Sequence, residues 1–230
     1  ALSDVICTSG NAAKIVNAAP RDKDLLFVPD ENLGQWVMEQ TGRPMTLWRG
    51  NCYVHVEFRR ESLLRAKRAH PEAKVVVHPE SLREVRELAD SVCSTEKMIA
   101  YCQTSAARQF IIVTESGIIH RLRKECPDKE FIPAPIFDPL RAPTDPCRCS
   151  ECKYMKLNTL EKVRDCMKNL APRIELPDEI IRRAQLPIRR MLEISARQGR
   201  AIDRSVPAGG GGRRPVWAAR LIARGGKPRG

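Results

Sequence analysis

The chain has no run of roughly 18 uninterrupted apolar residues, so nothing in it reads as a membrane-spanning helix. It also lacks the basic, apolar, small-residue order of an export signal at its start, and the cytoplasm is the expected compartment. Its nine cysteines are an odd number in a chain of 230 residues. That does not suit the disulfide framework of a short secreted domain, and reduced thiols or metal ligation fit better. A second paired-cysteine knuckle is missing too: Cys149 and Cys152 form half of a zinc motif that no other such pair completes. What length does allow is one large or two small domains with real cores.

The net charge is +12, which raises the question of nucleic acid, because clustered Lys and Arg release phosphate counterions on binding. Its distribution argues against that. Residues 196–230 hold nine basic side chains against one acid, Asp203, and so carry +8 of the +12. The remaining +4 is an ordinary solvated surface. No nucleic-acid or membrane partner is expected.

An internal repeat organises the rest. Asp4-Val5-Ile6-Cys7-Thr8-Ser9 matches Asp90-Ser91-Val92-Cys93-Ser94-Thr95 at an offset of 86, and Phe27 to Leu33 matches Ile112 to Ile118 at 85. Each unit reads as a short strand, a hydroxyl-bearing turn able to cap a helix, the helix, another strand and a second helix. Ala73–His78 and Gln109–Val113 are apolar, β-branched runs of the kind buried on both faces of a parallel sheet. Ser81–Ala89 has helical spacing, as do Leu157–Leu170 and about Pro177–Ser195, where Pro187 is expected to kink or break the helix. The fold class is therefore α/β, in layers. Four segments are expected: 1–55, an α/β unit; 56–133, a second unit in repeat with it; 134–195, a cysteine-bearing segment that starts Pro-rich and ends in helices; and 196–230, a disordered Arg/Gly-rich tail. The change at Ala196 is abrupt enough to fit a shifted reading frame.

In such layers, functional groups gather at the C-terminal ends of strands and at helix starts. Cys52 and Cys152 lie 100 residues apart, each closing a turn-like stretch just before a tyrosine or lysine–tyrosine. Thiolates bind iron through soft sulfur, and a four-iron cluster held by three of them keeps one iron open as a Lewis acid. A zinc site using Cys147, Cys149 and Cys152 is the alternative, as part of a zinc-bearing nucleic-acid-binding module. His78-Pro79-Glu80 ends a strand, with its imidazole and carboxylate spaced for acid–base work or a carboxylate clamp. Ser9, Ser94 and Thr95 sit at helix starts, where hydroxyls and amides make anion-binding nests, although neutral caps use the same residues. His55 reads as a neighbour of a metal ligand. Cys7, Cys93, Cys102, Cys126 and Cys166 read as inert buried thiols.

Together, Cys7-Thr8-Ser9, Pro29-Asp30 with Asn32-Leu33, Gly50 through His55, Val77 through Ser81, Cys93-Ser94-Thr95, Thr114-Glu115 with Gly117-Ile118, and Cys152 through Thr159 closely resemble the quinolinate synthase family over about residues 1–195. The resemblance implies three pseudo-equivalent α/β units around a cavity, of which the second, the third and only the end of the first are expected here. It therefore implies an N-terminally truncated chain. It further implies a 4Fe-4S cluster, with Cys52 and Cys152 as the second and third ligands and Cys149 as an extra cysteine found in some members. The implied reaction joins iminoaspartate to dihydroxyacetone phosphate, giving quinolinate for de novo NAD biosynthesis, with L-aspartate oxidase as metabolic supplier. Glu80 and His78 would be catalytic; Ser9, His78, Pro79, Glu80 and Thr95 would bind substrate, Thr8 being a weaker candidate than Ser9. Weak or absent turnover is expected of the chain as it stands.

Overall fold

A computed structural model of the chain describes residues 2–136 and 150–202, with side chains as far as Ala196. Cys147, Cys149, the Pro-rich run before them and the tail beyond Ile202 lie outside the described residues. The chain divides into residues 1–195 and 196–230, and the first of these is described below.

The first elements are α1 (Ala12–Ala18), β1 (Leu26–Phe27), α2 (Glu31–Thr41) and β2 (Thr46–Leu47), with β1 and β2 paired in parallel. Asp30 starts α2 by accepting the Leu33 amide on its carboxylate at 2.7 Å, satisfying a donor that the helix itself leaves free. Gly42 ends it at φ +64°, a left-handed conformation that costs glycine little. The buried guanidinium of the next residue, Arg43, donates to the carbonyls of Val16, Ala19, Pro20 and Lys23, so one side chain satisfies the exit from α1.

A 3₁₀ turn (His55–Glu57) and α3 (Arg60–Ala69) lead to β3 (Lys74–Val77), α4 (Arg83–Arg86), β4 (Ser91–Val92), α5 (Thr95–Thr104), β5 (Gln109–Val113), α6 (Ile118–Glu125) and β6 (Glu130–Pro133). These strands form one parallel sheet in the order β4-β3-β5-β6. Its alternation explains the unbroken apolar runs. Val76, Phe110 and Ile112 face Met98, Cys102, Leu122 and Phe131 on one side, while Val75, Val77, Ile111 and Val113 face Phe58, Leu63, Val85 and Ala134 on the other. Both faces are covered, so Val75–Val77 and Phe110–Val113 are apolar at every position. The α/β class with parallel sheets is as expected, and Arg86, which is buried, reaches from α4 to Glu39 on α2 at 2.6 Å.

Two helices depart from expectation. Ser81–Ala89 narrows to the single turn α4, because Asp90 is drawn back to β3: its amide donates to the Val75 carbonyl and its carboxylate accepts the Val75 amide at 2.8 Å. That pull tightens Leu88 and Ala89 into i−3 bonds and ends the helix early. Pro187 neither breaks nor ends its helix, since α8 runs from Asp178 to Ile202 through it. Proline forfeits one backbone donor there, and its ring is buried. Before it lies α7 (Leu160–Asn169), capped by the Thr159 hydroxyl and with none of its residues buried. No helix among the described residues is long and apolar enough to cross a membrane.

The core supports a direct test. Ile111→Ala, at a side chain with 0% exposure, should cost about 2–5 kcal/mol in urea unfolding. Leu160→Ala on the exposed face of α7 should stay within about 0.5 kcal/mol.

Candidate metal and substrate site

Four strand ends converge. Past β3 come His78, Pro79 and Glu80; past β5, Thr114 and Glu115; past β1, Asp30; past β4, Ser94. The His55 and His78 rings stack with centroids 4.4 Å apart and planes 18° from parallel. Ser9 Oγ lies 3.3 Å from His78 Nε2, so the Thr8–Asn11 turn meets the end of β3. His55 Nε2 is 2.9 Å from Thr114 Oγ1. Its other nitrogen, Nδ1, sits 3.0 Å from Glu80 Oε2, an ion pair when the ring is protonated. Cys52 Sγ, a His55 ring nitrogen and a Glu80 oxygen all fall within 4.8 Å of one another.

Each cysteine loop is held by a carboxylate at a strand end. Asp30 caps α2 with one oxygen, and the other accepts the Cys52 amide at 2.8 Å. Glu115 accepts the Gly117 amide at 2.8 Å with one oxygen, while the other lies 3.4 Å from the Cys152 amide and 3.3 Å from Lys156 Nζ. Gly50 lets the first loop pass close to β1, since a Cβ there would strike the Pro29 carbonyl. The loops also touch each other: the Tyr53 hydroxyl accepts the Lys153 amide at 2.8 Å, and the Tyr53 and Tyr154 rings meet edge to face at 5.8 Å. Thus the residue after Cys52 bonds the residue after Cys152.

The electrostatics follow from burial set against pairing. A hydrogen bond from His55 holds Cys52 below the ordinary thiol range, against the opposing effect of burial. The Tyr53 hydroxyl does the same for Cys152. For His55, burial works to lower the pKa, but hydrogen bonds with Cys52 and Glu80 outweigh it and push it to about 9. His78 is instead lowered to about 4 by burial and by the neighbouring His55 charge. Burial works to raise Glu80, and His55 and His78 together hold it below the usual carboxylate range. Near neutral pH the site therefore holds an imidazolium and a carboxylate beside a neutral imidazole, next to a thiol that ionises more readily than usual. Cys102, by contrast, is pushed up to about 12 by burial and is inert.

Of the residues singled out in the sequence, Cys52, Cys152, Ser9, His78, Pro79 and Glu80 fall in or beside this cluster. Thr8 bonds only its own turn, through Asn11. Thr95 begins α5 with its side chain exposed, and Ser94 is buried against the turn at Gly10 without capping the helix through its side chain. Cys7 is half-buried, and Cys93, Cys102 and Cys126 are buried. Cys166 corrects the expectation of a buried thiol: it is exposed, because α7 packs none of its faces. Asp30 and Tyr53 were not singled out as site residues. Asp30 carried a signal, standing three residues before Leu33 at a helix start, but its second oxygen serves a loop 22 residues away.

A parallel α/β protein that gathers two thiols, two imidazoles and a carboxylate at its strand ends brings together side chains of the kinds that hold metals and move protons. The chain belongs to the quinolinate synthetase A protein family, whose family model matches residues 1–193. It is 46% identical over 198 residues to the quinolinate synthase of Prochlorococcus marinus (strain MIT 9303), 47% over 195 to that of Nostoc punctiforme and 48% over 195 to that of Thermosynechococcus vestitus. These alignments cover 85–86% of the chain and 57–59% of the relatives, so the chain spans less than two thirds of their length.

Two measurements check the electrostatics. Alkylation at pH 7 with peptide mapping should label Cys52 much faster than Cys102, and His55→Ala should slow Cys52 several-fold by returning its thiol toward the ordinary range. His78 resists protonation down to about 4 in the fold, whereas the unfolded chain accepts the proton near 6.5. Stability should therefore fall as pH drops from about 6.5 to 4, and His78→Gln should flatten the urea midpoint across that range.

Proposed function

We propose that the chain is part of a quinolinate synthase, condensing iminoaspartate with dihydroxyacetone phosphate to quinolinate in de novo NAD biosynthesis, with a 4Fe-4S cluster as cofactor. The observation that carries this reading is the bond between the Cys52 and Cys152 loops, Tyr53 to Lys153, with His78, Glu80 and Ser9 at the same strand ends. The donor chemistry fits the cluster: both thiols are held below the ordinary range and both are partly accessible. Cys52 and Cys152 would hold it, and when bound it supplies a Lewis-acidic iron for substrate oxygens.

The chain's own groups supply the rest. Glu80, ionised and paired with His55, is placed to take and return protons. His78 is neutral, so it can donate to a substrate carboxylate or phosphate oxygen, and Ser9 holds its ring in place. Pro79 is buried between them and fixes the spacing. Thr95, at the start of α5, is positioned for an anion on the amides there. The repeat at offsets of 85 and 86, together with the matched placement of Asp30 and Glu115, supports pseudo-equivalent α/β units with boundaries near 55 and 133. A cytoplasmic setting suits reduced thiols, and substrates of this class are small molecules.

Anaerobic reconstitution with ferrous iron and sulfide tests the proposal. The expected product is brown and air-sensitive, and Cys52→Ser or Cys152→Ser should each cut bound iron several-fold while Cys102→Ser leaves it unchanged. A reconstituted protein in which neither substitution matters would defeat the reading. Because the described residues provide only two such thiolates, quinolinate formation by this chain alone should be weak or nil. Co-expression with the part of the Prochlorococcus relative that the chain does not match should restore it, and Glu80→Gln should abolish the restored activity.

A further inference from the structure

We propose, resting on the pseudo-equivalent units inferred above, that the groove between residues 2–7 and β1 takes up an extended apolar strand from a second polypeptide. That strand runs parallel to β1 and brings with it a helix that covers Leu26 and Val28.

At the offsets of 85 and 86, α1, β1, α2 and β2 fall opposite α5, β5, α6 and β6. In the second set β5 lies between two neighbours, β3 and β6. Among the described residues β1 has one, β2. The free side of β1 opens into a cavity of about 700 Å³, lined by Leu25 to Pro29 and by Leu2 to Cys7. Residues 5 and 6 fall opposite β4, which in the second set lies on the far side of β3. The cavity therefore stands where β3 stands in the other sheet.

The bonding groups agree position by position. Asp90 grips β3, its amide donating to the Val75 carbonyl at 2.9 Å and its carboxylate accepting the Val75 amide at 2.8 Å. The carboxylate of its counterpart, Asp4, is fully exposed. The Cys93 amide donates to the Val77 carbonyl, and the Val113 carbonyl accepts the His78 amide, each at 3.0 Å. Among the described residues, the Cys7 amide and the Val28 carbonyl meet no such partner. Side chains follow the same rule. Ile111 and Val113, packed with Leu63 of α3 and Val85 of α4, are 0% exposed, whereas Leu26 and Val28 are 66% and 46% exposed. Phe27, on the opposite face of β1, is buried with Ala12, Val16, Leu33 and Val37. The first sheet is thus sealed on one face only, and an open strand edge beside an apolar face is a template for another strand.

The pattern defines the occupant. It is a short β-branched strand like Lys74–Val77, preceded by an amphipathic helix like Arg60–Ala69. A second copy of the chain does not offer this pair, because its own α3 and β3 are built into its second sheet. The part of the quinolinate synthase relatives that the chain does not match, more than a third of their length, is large enough to supply it.

Co-expression with an affinity-tagged form of that part of the Prochlorococcus marinus relative, with no iron or substrate added, tests the surface. The chain should co-purify in equimolar amount, and hydrogen exchange in the complex should slow at residues 4–7 and 26–28 relative to the chain alone. Leu26→Lys and Val28→Lys should each cut recovery roughly tenfold or more, since the added charge would be buried without a partner. Both positions are open to water in the chain alone, so its thermal unfolding should not change. Arg123→Glu, on the exposed side of α6, should leave recovery intact. No recovery of the chain, undiminished recovery of Leu26→Lys, or unchanged exchange at 26–28 would each overturn the proposal, as would self-association of the chain alone that protects the same residues. Because neither a cluster nor turnover is read, the result is independent of the iron reconstitution.

Discussion

Backbone amides at the two cysteine loops need acceptors, and strand-end carboxylates provide them. Asp30 serves both the start of α2 and the Cys52 amide; Glu115 serves Gly117 and faces the Cys152 amide. A loop that carries a ligand cannot be regular, since its thiol must stay partly open, so its amides have to be satisfied by side chains rather than by a ladder. Burial presses the Asp30 pKa upward, while the Leu33 and Cys52 amides that it accepts work to keep it ionised. The loop and the carboxylate thus stabilise each other in the same geometry, and the position of the thiol follows from that geometry.

From this anchoring comes the electrostatic character of the crevice. His55 can be charged at 93% burial only because Cys52 and Glu80 supply opposite charge beside it. Removing either partner leaves a buried cation exposed to the full desolvation cost. His78, stacked on the same ring, takes the opposite course and stays neutral. Two histidines in contact thus hold different protonation states, one charged and one neutral.

The sheet makes this arrangement rigid. Val75–Val77 and Phe110–Val113 are sealed on both faces, and His78 and Thr114 are the first residues beyond them. Arg86 on Glu39 ties the helix after β3 to the helix after β1, so the ends of two separate sheets keep their spacing.

Much of the fold was legible in the residues alone. β-Branched runs at 74–77 and 109–113 admit no other reading than strands buried on two sides, and Asp30 and Thr159 mark helix starts by the chemistry of their oxygens. Where local pattern failed, a distant bond had overruled it: Asp90, bound to Val75, cut short the helix that the spacing of Leu82, Val85 and Leu88 proposed. Cys166 looked like a core thiol because its helix is amphipathic, but amphipathicity states which face is apolar and not whether anything covers it. Cys52, His78 and Glu80 stood out by their types and their places at turn and strand ends. Only the tertiary structure decided their ionisation and the bridge from Tyr53 to Lys153, since each depends on burial and on loops and strand ends brought together by the fold, with His55 meeting His78 23 positions away and Tyr53 meeting Lys153 100 positions away, separations on which local periodicity carries no information.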